Sequence, residues 1–297
     1  MARSRQDIEQ ELTEAFLTTI KEGGTVPWRK GWRCDGILPA NFQSKRPYRG
    51  MNSLWLGMTQ QIRGYETPYW TTYRAAEKSG GQVRKGEKSS IAVLWKFLHV
   101  EDKANPGKQK RVPVLKTFAV FNLDQVDGLE YVRPDVVERE PSGFHDWLRG
   151  TYVEPPAFHQ IESDRAYYSP ASDLIVVPAS HQFDTEQAEA ETIGHEYVHS
   201  TGHPSRLGRL ELGWQEQQNY AKEELVAEIG AAMLMQQYGI DPNVPMMADY
   251  VRGWLTALEN DHSLILSAAQ QAQKAVDRIT GYVYVEDTVP AEQEVAA

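Results

Sequence analysis

The chain has 297 residues, 41% of them hydrophobic, and a net charge of -10, which suits two domains with real cores and excludes wholesale disorder. No stretch approaches the apolar length of a membrane helix and the first ten residues carry no apolar signal core, so neither a membrane partner nor export is expected. The one cysteine, Cys34, has no internal partner, which predicts a reducing, cytoplasmic setting and an idle or buried thiol.

The charge is unevenly spread. Residues 1–134 hold 22 Lys and Arg against 14 Asp and Glu, a balance of +8. Residues 135–297 hold 9 against 27, a balance of -18. A basic half followed by an acidic one points to different partners for each. Ile8, Leu12, Phe16 and Ile20 recur every four residues, the stripe of an amphipathic opening helix that Gly23-Gly24 ends. A loop rich in Trp, Arg and Pro runs to about Gly50. Helices are predicted over 52–63 and 71–78. Alternating β-branched and aromatic residues predict strands over 89–100 and 112–122, joined by a charged tip. Proline-bracketed, charged residues 134–143 make the best boundary. The prediction is therefore an α+β fold of two domains: 1–134, a linker over 135–142, a mainly helical domain with a small β-hairpin over 143–286, and a disordered tail over 287–297.

In the second half a short helix is expected from 144, then a hairpin of 166–170 and 174–178 about the turn Ala171-Ser172-Asp173. Ile175-Val176-Val177 could be an edge strand able to align an extended peptide, or equally a buried core strand. Asp184-Thr185 followed by Gln187 forms a capping signal and Gly202 a stop, bracketing a helix of about four turns. Further helices are predicted over 219–238, 247–259 and 263–280.

The bracketed helix carries His195-Glu196-Tyr197-Val198-His199. Residues four apart share a helix face, so both imidazoles can reach one metal ion. Glu196 then lies beside the open position, where it can take a proton from bound water. Two histidines do not complete such a site. His203 comes one residue after Gly202, the wrong register for a third histidine, and His262 has no supporting pattern. Glu224 and Glu228 are i,i+4 on the next long helix, beside the small residues Ala227 and Ala231 that allow close packing. Glu224 is assigned as the third ligand, with Glu228 hydrogen-bonding a ligand histidine from behind. Two imidazoles and a carboxylate suit zinc, and manganese also fills such sites. Tyr220, His203 and Arg206 are candidates to stabilise an oxyanion.

The basic half interleaves aromatics with cations: Trp28-Arg29-Lys30-Gly31-Trp32, then Arg46, Tyr48 and Arg49, then Trp70 and Tyr73, then Arg84, Lys85 and Lys88. Single-stranded nucleic acid wants this mixture, cations for phosphates and aromatic faces for unstacked bases. No duplex-reading signature appears.

The run Leu38-Pro39-Ala40-Asn41-Phe42 to Tyr48-Arg49-Gly50-Met51-Asn52, with Trp70-Thr71-Thr72-Tyr73, Gly80-Gly81-Gln82-Val83-Arg84-Lys85-Gly86 and Phe121-Asn122, resembles the N-terminal domain of ArdC antirestriction proteins and TraC-type conjugative primases. The segments H-E-Y-V-H-S-T-G-H-P-S-R-L and E-E-L-V-A-E-I-G-A-A resemble the metallopeptidase domain that ArdC proteins carry. The resemblance implies a plasmid-encoded protein that binds single-stranded DNA and protects incoming DNA from host restriction. It also implies a zincin-like metal site of His195, His199 and a Glu of the E-E-L-V-A-E segment. No palm-like primase domain is found, so priming is not supported. Three functions compete: a two-domain antirestriction protein whose second domain is a metal-dependent peptidase or a relic of one, with a host protein as a candidate substrate; a pure single-stranded DNA-binding protein whose metal is structural or inactive; and a DNA-independent protease whose basic half binds an acidic protein.

Overall fold

The computed structural model describes residues 5–23, 37–101, 107–134, 139–210, 217–240 and 258–283. Cys34, most of the helix predicted over 247–259 and the predicted tail over 287–297 lie outside them.

Helix α1 (Arg5–Gly23) follows the four-residue stripe and buries Ile8 and Leu12. A four-stranded sheet has the order β1-β2-β5-β4, from β1 (Ala40–Asn41), β2 (Tyr69–Thr72), β4 (Ser90–Glu101) and β5 (Gln109–Asn122). β1 runs parallel to β2, and the other pairs are antiparallel. Helix α2 (Met51–Ile62) packs beside β4, where the Asn52 side chain bonds both the N–H and the C=O of Val93, each at 2.7 Å. The helix predicted over 71–78 is divided. Tyr69–Thr72 joins the sheet, and helix α3 (Tyr73–Lys78) begins where Thr72 Oγ1 accepts from the Ala75 N–H. β3 (Gln82–Val83) and β6 (Val126–Asp127) form a separate two-stranded pair.

The second half opens with helix α4 (Phe144–Thr151) and a three-stranded sheet of order β7-β9-β8, from β7 (Ala157–Ile161), β8 (Tyr167–Ser169) and β9 (Leu174–Pro178). The expected hairpin is β8–β9. β7 was not predicted, because its residues are mostly exposed and give no apolar alternation. It pairs parallel to β9 and makes β9 the central strand, so the edge-strand expectation for Ile175–Val177 is corrected: Ile175 and Val177 are fully buried core. Helices α5 (Glu186–Ser200), α6 (Gln217–Tyr238) and α7 (Leu264–Thr280) complete the description.

One hydrophobic core joins the two halves despite their opposite charge. It includes Ile8, Leu12, Leu54 and Val93 from the first, and Phe144, Val198, Leu225, Ile265 and Ala269 from the second. Helix α7 is the shared element. Its alanines 268, 269, 272 and 275 are fully buried, which lets neighbouring backbones approach closely. It also meets the first half through polar contacts: Gln273 Oε1 accepts from the Gly50 N–H at 2.7 Å, and Asp277 ion-pairs with Arg49. Just before α7, the His262 carbonyl accepts from Thr13 Oγ1 at 2.9 Å.

Candidate metal centre

Thr185 caps α5 by accepting from the Ala188 N–H at 3.1 Å, which sets the helix phase that aims His195 and His199 at α6. The two helices cross closely on small residues. A side chain at Gly230 would place its Cβ 2.8 Å from Val198 Cγ2, and the Cβ of Ala231 lies 3.6 Å from the corresponding position at Gly194. Ala227 and Ala231 are buried, in line with their expected packing role.

Glu224 lies between the imidazoles. His195 Nε2 and His199 Nε2 are 3.0 Å apart, Glu224 Oε2 is 3.5 Å from the first, and Glu224 Oε1 is 3.4 Å from the second. Tetrahedral ligands at about 2.0–2.1 Å from a zinc ion stand about 3.3 Å from one another. The three separations lie close to that figure, so the donor set suits one divalent ion. Among the described residues, His195, His199 and Glu224 are the group able to hold one. Burial opposes charge on all three, yet their mutual contacts prevail. Contacts with Glu223 and Glu224 push His199 up to about 10, and contacts with both histidines hold Glu224 well below the usual carboxylate range.

Each histidine is also held from behind. Glu228 Oε1 lies 3.5 Å from His195 Nδ1. Glu223 Oε1 lies 3.3 Å from His199 Nδ1, a role that sequence reasoning missed. The signal was the doublet Glu223-Glu224: adjacent carboxylates on a helix diverge by about 100°, so one can sit between the imidazoles and the other beyond them. Arg209 was missed altogether. Its Nε and Nη2 donate to the two oxygens of Glu223 at 3.0 and 2.8 Å, and it also donates to Thr201 Oγ1 and the Val198 carbonyl. Removing such outer partners typically costs 10–100-fold in metal affinity. Arg209→Met is expected to weaken zinc or manganese binding by about that factor in calorimetry. The Glu223→Gln/Arg209→Met double variant should be no weaker than Glu223→Gln, and fully additive losses would disprove the shared pathway.

Glu196 is buried with 7% exposure, burial raises its carboxyl above the ordinary range, and the backbone N–H of Tyr168 on β8 donates to it. The Tyr168 hydroxyl donates to Asp173 at 2.8 Å, and Arg206 grips both oxygens of Asp173 at 2.7 and 2.8 Å while donating to the Ser200 carbonyl at the end of α5. Arg206 is thus a buried clamp between the β8–β9 turn and the motif helix, which removes it from the oxyanion candidates. His203 Nδ1 is engaged with Ser205 at 2.7 Å. Tyr220, one turn before Glu224, is 42% exposed. A cavity of about 580 Å³ at the start of α5, lined by His145, Phe183 and Glu189 among others, includes none of the three donors.

The basic half distributes its expected nucleic-acid residues unequally. Trp28, Arg29, Lys30 and Trp32 lie outside the described residues. Trp70 at 0% exposure and Tyr48 at 5% are core, a correction to their expected base-stacking role: each ring is covered on both faces by packing. Arg49 is turned to Asp277 and the Tyr282 ring, and Arg84 to Glu87 and Asp127. Arg46, Tyr73, Lys85 and Lys88 are exposed.

Two family models match the chain: the N-terminal domain of anti-restriction factor ArdC over residues 6–121, and a zincin-like metallopeptidase over residues 155–271. The chain is 33% identical to a DNA primase TraC of Escherichia coli over 95% of its own length, but spans only 28% of that primase. It is 30% identical to the uncharacterized protein y4eC of Sinorhizobium fredii (strain NBRC 101917 / NGR234), covering 91% of each. Its fold is similar to crystal structures of the antirestriction ArdC protein from the R388 plasmid, metal-free and Mn(II)-bound. The TM-score is 0.75 and the identity 38% for both, over 92% of this chain and 96% of the metal-free one, and 93% and 97% for the Mn(II)-bound one.

Proposed function

This chain belongs to the ArdC antirestriction family, and from that premise we propose that it binds single-stranded DNA entering a host cell and shields it from restriction in the cytoplasm, with a metal-dependent peptidase in its second half. The observation that carries the peptidase half is the His195, His199 and Glu224 donor set, spaced for one divalent ion. Zinc suits these donors, and the Mn(II)-bound relative supports manganese as an alternative.

When bound, the ion supplies Lewis-acid polarisation of a carbonyl and a more acidic water. Glu196 takes the proton from the attacking water and delivers it to the leaving amine. Its burial supports that role, because a raised carboxyl accepts and returns a proton nearer neutral pH. β8, an edge strand of the small sheet, runs past Glu196, and its outer edge is the place for an extended peptide to pair. Tyr220 lies one turn before Glu224 on the same helix and is the side chain we assign to donate to a developing oxyanion.

The DNA half is tested by binding of single-stranded and duplex oligonucleotides across a salt series. Tighter binding to the single strand, with affinity falling as salt rises, is expected. Equal binding to duplex, or no salt dependence, would sink it.

A further inference from the structure

We propose that the outer part of the β4–β5 ribbon is an arm that grips single-stranded nucleic acid along a stripe of lysines and aliphatic residues. The proposal rests on the nucleic-acid reading above and adds where the strand lies. β4 and β5 pair from Ser90↔Val120 to Glu101↔Gln109. β2 covers β5 only at Val120–Asn122, and Asn52 closes the free edge of β4 at Val93. From Leu94↔Lys116 outward, the two strands pair only with each other among the described residues. A two-stranded ribbon is marginal by itself in water, so an arm of this length is poorly explained by stability alone.

Side chains alternate between faces along a strand. On the inner face, Val93 and Leu115 are buried in the core. The other face carries Lys116 opposite Leu94 and Lys110 opposite Val100, with Val114 and Val112 between the two lysines on β5. Each of these lysines stands opposite an aliphatic residue, and none of the six residues is an acid. Lys110 and Lys116 are exposed, Val100 is 36% exposed, and exposed Lys108 continues the row toward the tip. On a chain of net charge -10, an acid-free lysine stripe marks a polyanion as its occupant. The aliphatic members favour a single strand over a duplex. Unstacked bases offer apolar faces to them, whereas a duplex covers those faces by stacking. The stripe also has no Arg, Asn or Gln to read base edges, so contact is through phosphates and independent of sequence.

The test uses the full chain carrying Lys108→Gln, Lys110→Gln and Lys116→Gln together, titrated with oligothymidylate across a potassium chloride series. The expected result is at least a tenfold loss of affinity at low salt. The slope of log K against log[salt] should shrink by about 2, from three contacts at about 0.7 each. A charge-matched control, Arg165→Gln/Lys222→Gln/Lys274→Gln in the acidic half, should bind like the parent. Unchanged affinity and slope in the ribbon variant, or an equal loss in the control, would overturn the proposal. Equal loss for an equally bound duplex would overturn its commitment to a single strand. If the parent itself fails to bind, the broader nucleic-acid reading falls, an outcome separable from failure of the ribbon alone. All three lysines are exposed, so an unchanged melting temperature reports that the variant is folded.

Discussion

Glu224→Ala is expected to abolish metal binding for practical purposes, with affinity for zinc or manganese falling by more than the about hundredfold that marks the upper end for outer-partner losses. Among the described residues Glu224 is the carboxylate placed between both Nε2 atoms, and its removal leaves two nitrogens, short of the three protein ligands such sites use. Glu228 and Glu223 face the opposite, Nδ1 sides of the two rings and cannot replace it without turning an imidazole over. Loss of Glu224 also strips two buried imidazoles of a partner and so lowers stability, and the melting temperature reports whether the variant is folded at the assay temperature. Metal content by mass spectrometry and affinity by calorimetry measure this. Near-parental affinity would transfer the ligand role to Glu228, and Glu228→Ala would then show the larger loss.

The second large effect falls on chemistry and leaves the metal in place. Glu196→Gln keeps the shape of the side chain and its acceptor for the Tyr168 N–H, but cannot take a proton. Peptide hydrolysis should drop about 10²–10⁴-fold, the range of a general base, while metal affinity changes little. Assayed in a restricting host, the same variant separates the two main readings. If protection of incoming DNA falls with hydrolysis, proteolysis is the mechanism. If protection persists, DNA coating suffices and the metal is structural or idle.

The spacing of the candidate donors was legible in the sequence, and the reason is helical periodicity. HExxH and E-x-x-x-E are local patterns, and a helix converts their spacing into a shared face without help from the rest of the fold. Thr185 as cap and the span of α7 were readable from local signals as well. Strands were harder. Tyr69–Thr72 was absorbed into a predicted helix, and β7 was missed because an exposed edge strand carries no apolar alternation. The short apolar run of β9 reads alike as edge or centre until its neighbours are known.

The sequence by itself determined which residues share a face: both imidazoles, the base beside them and a carboxylate pair on the next helix. Only the tertiary structure decided what each face meets. It placed Glu223 and Arg209, 14 residues apart, behind His199, turned Arg206 from an oxyanion candidate into a clamp on Asp173, and buried Trp70 and Tyr48 among core residues. The physical reason is that helix and strand periodicity set side-chain direction within one element. Desolvation and pairing depend on which other elements pack there, and a cation or an aromatic ring carries no local sign of its eventual neighbour.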